Sequence, residues 1–185
     1  MSTITIHNKE YRIYEVTGKI LESNKQRELH VYGSGGGGAT YNGTGGTAPV
    51  NIQSSTTIHD EFFLIDQDGQ EHSIKLKNWD VSLREGREIQ VIWVISPNQE
   101  RGPYVVLNNH SLRNITTQND IIREISIKHY AKKFWLSIVA VIVLSFIFKS
   151  FIFFLIIAIG TWFYWNKKSK EVFKELKQAI ENIIN

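Results

Sequence analysis

Apolar positions along this chain recur in two rhythms. Up to about residue 118 they come in short, strand-like runs, predicted at Glu10–Val16, Lys19–Glu22, Glu28–Tyr32, Asn51–Ile58, Phe62–Asp66, His72–Leu76, Glu88–Ile95 and Tyr104–Leu107. Several are dense in Val, Ile, Phe and Tyr, which suit a pleated, half-buried surface. Turn signals separate them: Asp66-Gln67-Asp68-Gly69, Arg84-Glu85-Gly86-Arg87, and Ser96-Pro97-Asn98 through Gly102-Pro103. Residues 61–95 read as a three-strand meander, and Val16-Thr17-Gly18-Lys19-Ile20 as a first barrel strand bent at Gly18. The expectation for residues 1–118 is a small all-β domain, an OB-like or SH3-like barrel or a sandwich.

Then the rhythm lengthens. Thr117-Gln118-Asn119-Asp120 offers N-cap chemistry ahead of Ile121, Ile122 and Ile125, so a linking helix is expected over 119–133. Fifteen uncharged residues follow from Phe134 to Phe148, then Lys149 and Ser150, then fifteen more from Phe151 to Trp165. One helix over all of these would be about 48 Å long, against a hydrocarbon core of about 30 Å. It would also bury the Lys149 ammonium near the bilayer centre, at a cost of roughly 2.5–3.5 kcal/mol. The pattern therefore predicts a two-helix transmembrane hairpin with arms 134–148 and 151–165 and a tip at Lys149-Ser150. Each arm is only about 22 Å long, so each must extend, to about Ala131 and Lys168, to span. After it, 167–185 reads as an amphipathic helix, with Phe173, Leu176, Ile180 and Ile183 on one stripe. The whole is expected to be an α+β membrane protein.

Charge agrees with that expectation. Of 21 Lys/Arg and 18 Asp/Glu, residues 134–185 hold six and three, which leaves fifteen of each before them. The entire excess of +3 thus lies in or behind the apolar segment. Lys128, Lys132 and Lys133 precede it and Lys167, Lys168 and Lys170 follow it, so the positive-inside rule puts both termini in the cytoplasm of a bacterial inner membrane. Trp135, Trp162 and Trp165, with Lys132, Lys133, Lys167 and Lys168, are the expected interface anchors, joined by Tyr130 and Tyr164. A domain neutral over residues 1–133 lacks the footprint of nucleic-acid binding.

Candidate chemistry is sparse. With no cysteine, disulfides, thiolate metal sites and Cys nucleophiles are excluded. Gly33–Gly46 carries eight glycines, and Gly33, Gly35 and Gly38 match G-x-G-x-x-G, but no helix pattern follows to complete a dinucleotide fold. It reads as a surface loop, with Gly35, Gly36, Gly37, Gly38 and Tyr41 as the candidate partner or ligand contacts. His59 and His72, with Asp60, Glu61 and Glu71, supply two neighbouring imidazoles where a metal wants three or four converging ligands. No G-x-S-x-G selects a nucleophile. No catalytic residue, metal or cofactor is expected. The function expected is a non-enzymatic interaction or scaffold module, homo-oligomeric, with the bilayer, further copies of itself and an unknown protein as partners. A hairpin pore, with Lys149 as its charge ring, is the alternative, and an enzyme on a lipid-linked substrate the second.

Overall fold

The computed structural model describes residues 1–36, 40–41, 44–45, 50–79, 81–148 and 151–184. In chain order the strands are β1 (Ser2–Ile6), β2 (Lys9–Ser34), β3 (Thr40–Tyr41), β4 (Thr44–Gly45), β5 (Asn51–Asp66), β6 (Glu71–Lys77), β7 (Glu88–Ile95), β8 (Tyr104–Asn109) and β9 (Asn114–Thr117). Two helices follow, α1 (Asn119–Phe148) and α2 (Phe151–Ile184). Seven strands form one antiparallel sheet in the order β6-β5-β2-β7-β8-β9, with β1 added on β2. β6 and β9 are its two ends, so the expected barrel or sandwich gives way to a single sheet. Among the described residues, β3 and β4 pair with each other as a separate two-stranded sheet.

The chain divides into two compact units, Met1–Thr17 with Ile89–Asn185, and Gly18–Glu88. In the second, β2 and β5 pair from Gly18↔Asp66 to Ser34↔Asn51, with a bulge between Ile20 and Glu22. Gly18 is required there, since a Cβ on it would lie 2.3 Å from the Ile65 carbonyl oxygen. Alternation aims Phe62 and Leu64 of β5 and Ile74 and Leu76 of β6 inward, where they are buried with Ile20 and Trp79. The β5–β6 turn is an Asx-turn. The Asp66 Oδ1 accepts from the Asp68 and Gln70 amides at 3.0 and 2.8 Å, and Gly69 takes φ 78°.

In the first unit, His7 and Asn8, at φ 45° and 64°, make the two-residue turn between Ile6 and Lys9. Ile6, Tyr11, Ile13, Ile92, Val94, Val105 and Val106 form the sheet side of the core. Ile122, Ile125 and Tyr130 of α1 and Val172, Leu176 and Ile180 of α2 form the helical side. Gly102 sits where a Cβ would lie 1.8 Å from the Val94 carbonyl oxygen. Gly102→Ala must push β7 and its following loop apart, and a loss of about 1–3 kcal/mol is expected by urea denaturation.

The helices correct the membrane expectation. Among the described residues, no helix is long and apolar enough to cross a membrane. The physical reason lies in the flanks needed to lengthen each arm. On α1 the lengthening to Ala131 takes in Lys132 and Lys133, and Tyr130 just before it is committed to the sheet–helix core, 7 % exposed. On α2, Lys168 is paired with Glu171 at 2.7 Å. Spans, a multi-pass topology and an inner-membrane location therefore lose their support. The separate tail helix is also corrected: α2 is continuous to Ile184, because Asn166 and the lysines after it offer no helix breaker.

Candidate functional site

A polar constellation lies in the first unit, where three elements converge. Strand alternation puts Lys9, Tyr11 and Ile13 of β2 on one face. Helical spacing puts Ile122, Ile125 and His129 of α1 on one stripe. The tight β1–β2 turn then sets His7 beside them. The Tyr11 hydroxyl lies 2.6 Å from His129 Nδ1, both side chains buried. The Lys9 Nζ donates to the His129 carbonyl oxygen. The His7 Nδ1 meets the Tyr130 hydroxyl at 2.9 Å. Tyr130 packs on Trp165 of α2, ring centroids 5.2 Å apart, and the Trp165 Nε1 donates to the Ser137 Oγ at 3.0 Å.

Electrostatics fix the protonation states. Burial, then Lys9, His7 and Lys133, push the His129 imidazole down to about 4, so it is neutral at pH 7. Burial raises the Tyr11 phenol to about 12, so it keeps its proton. A buried phenol hydrogen needs an acceptor, and Nδ1 is the one within reach. The imidazole proton therefore sits on Nε2. Burial, then Lys133, lowers Lys9. Beside this cluster is a cavity of about 480 Å³, lined by Lys9, Tyr11, His129 and Lys128 with the 96–99 loop between β7 and β8. Glu124 is the one carboxylate among its lining residues.

The residues singled out from sequence lie elsewhere. Gly35 and Gly36, at φ 113° and 95°, end β2, while Gly37, Gly38, Lys149 and Ser150 fall outside the described residues. Tyr41 belongs to the short β3. Trp135 and Trp162 are exposed on the α1–α2 pair, and Trp165 is half-buried. Lys132, Lys133 and Lys167 are exposed, and Lys133 bears on Lys9 and His129 through its charge. His72 holds Asp66 at 2.7 Å; that bond, then the Gln70 and Asp68 amides, keep the carboxyl below its usual range. His59 and His30 both approach Glu28, at 3.5 and 3.1 Å. Among the described residues no group of three His, Asp or Glu is placed to hold a metal.

The second surface is apolar. Trp135, Leu136, Val139 and Val143 of α1 and Ile152, Ile156, Ile159, Trp162 and Phe163 of α2 are all more than half exposed. Between the two helices, Phe134, Trp135, Trp162 and Trp165 line a groove of about 300 Å³. Compared with known proteins, the chain matches no family model, and no curated protein or solved structure is similar to it.

Proposed function

We propose that the chain is a non-enzymatic interaction module that self-associates through the apolar face of its α1–α2 pair. The observation that carries this is the exposed seam just described. Monomeric proteins rarely expose contiguous apolar patches beyond a few hundred Å². Trp135, Trp162 and Phe163, at 66, 52 and 61 % exposure, alone offer roughly 300 Å², and the aliphatic residues extend that toward the roughly 800 Å² per partner of a stable interface.

A second copy fits this surface for two reasons. Leu136, Val139 and Val143 are spaced three then four, and so are Ile152, Leu155 and Ile159, followed by Trp162. That is the spacing with which helix seams interlock. An antiparallel helix pair also presents the same face from both partners, as a closed two-fold contact requires. The groove between Phe134, Trp135, Trp162 and Trp165 gives an anchor side chain from the other copy a desolvated seat.

Sedimentation velocity in lipid-free buffer over a hundred-fold concentration range tests this. The expected result is a dimer or higher species that Leu136→Asn with Ile156→Asn dissociates at unchanged unit stability. A monomer at all concentrations overturns it, and so does a monomer that floats with phospholipid vesicles, which would make a lipid surface the occupant.

A further inference from the structure

We propose that the cavity between the start of β2, the 96–99 loop and the first turns of α1 is a binding site for a small anion bearing a phosphate or carboxylate group. At about 480 Å³ it lies in the range of metabolite sites, roughly 300–1,000 Å³. Its charged lining is cationic. Lys9 and Lys128 face it, and Glu124, its one lining carboxylate, is tied to Lys128 at 2.6 Å.

Its polar lining is built for a ligand that accepts hydrogen bonds. The Lys9 ammonium has three N–H groups, and the His129 carbonyl oxygen takes one. The Tyr11 hydroxyl fixes the His129 tautomer that keeps a proton on Nε2, the imidazole's second donor position. His129 is 4 % exposed and lines the cavity beside Lys9. Asn98 and Gln99 add amide groups on the opposite side, and the Arg12 guanidinium donates to the Gln99 carbonyl oxygen at 2.6 Å, which steadies that loop. Ion pairing in such a partly desolvated site is stronger than on open surface. Burial first, and then neighbouring positive charge, make Lys9 and His129 hold protons less readily; a bound anion would offset the second of these.

This inference stands apart from the self-association reading, since the cavity and the apolar seam share no residue. The test is a titration of the full chain with inorganic phosphate, and separately with citrate, followed by amide NMR at constant ionic strength. Saturable shifts at Lys9, Tyr11, Gln99 and His129 are expected. Lys9→Met should weaken binding about ten-fold or more and Lys128→Met about three-fold. Lys174→Met, which removes the same charge from an exposed position on α2, should leave it unchanged. Shifts that sodium chloride reproduces equally, or equal affinity in Lys9→Met and Lys174→Met, overturn the proposal. If Lys9→Met does not fold, an affinity in Lys128→Met equal to that of Lys174→Met overturns it as well.

Discussion

Leu176→Ala is expected to lower the unfolding free energy by about 2–5 kcal/mol, a fall in Tm of roughly 4–20 °C for a chain of this length. Leu176 is fully buried in the last third of α2, within the cluster that includes Ile122 of α1 and Val105 of β8. Truncation removes three carbons from a packed interior and leaves a cavity that three elements cannot all close. Were residues 167–185 a free amphipathic tail, the same change would cost no more than about 0.5 kcal/mol. Leu136→Ala is the matched control. At 71 % exposure in one copy it has little packing to lose, so its effect should appear in association and not in the unfolding of isolated chains.

The second large effect is a pH dependence. The folded-state pKa of His129, about 4, lies below the ordinary imidazole value of 6.5, so the unfolded chain binds the proton more readily. Stability therefore rises with pH between these values, is complete above about pH 6.5, and is lost as pH falls toward 4. The full difference is roughly 3 kcal/mol. The groups that face His129 are Lys9 and Tyr11 from β2, His7 from the turn, and Tyr130 and Lys133 from its own helix. The positive charges of Lys9 and Lys133 add to the penalty that burial sets on the protonated imidazole. Urea denaturation of the native chain at pH 7 and pH 4.5 should show the loss. His129→Gln should be less stable at pH 7 but lose distinctly less on acidification. An equal acid loss in both would assign it to a group other than His129.

Much of the sheet was legible because burial on one face writes alternation into the sequence. Phe62 and Leu64, and Ile74 and Leu76, announce β5 and β6 in that way. The far halves of β2 and β5 do not. Between Asn24 and Ser34, and between Asn51 and Thr56, the side chains are almost all exposed, so no side-chain period marks the ladder's full length, and β2 reads as three short strands and β5 as two. β9, the four residues Asn-Ile-Thr-Thr, is too short and polar to register. α1 begins at Asn119, within the N-cap signal. The apolar run misled because its length was judged without knowing its flanks. Tyr130 looks like an interfacial residue in sequence and is in fact, with His129, part of a packed sheet–helix junction.

The cluster around His129 was invisible for a different reason. Tyr11 and His129 are 118 positions apart, and Lys9 and His129 are 120 apart. No spacing motif survives such a separation, and each residue alone looks ordinary. The available signal was weak: Lys9 and Tyr11 alternate on one strand face, and a lone His-Tyr pair closes a helix stripe. By contrast the apolar seam is written directly in the sequence.

The absence of cysteine makes one measurement decisive for that seam. Single cysteines placed at Val139, Ile156 or exposed Lys75 can be oxidised in lipid-free buffer and the products resolved without reductant. The self-association reading predicts rapid disulfide-linked dimers from Val139→Cys and Ile156→Cys, and none from Lys75→Cys. Failure of both seam positions to cross-link in a folded sample, or equal cross-linking at Lys75→Cys, would contradict it.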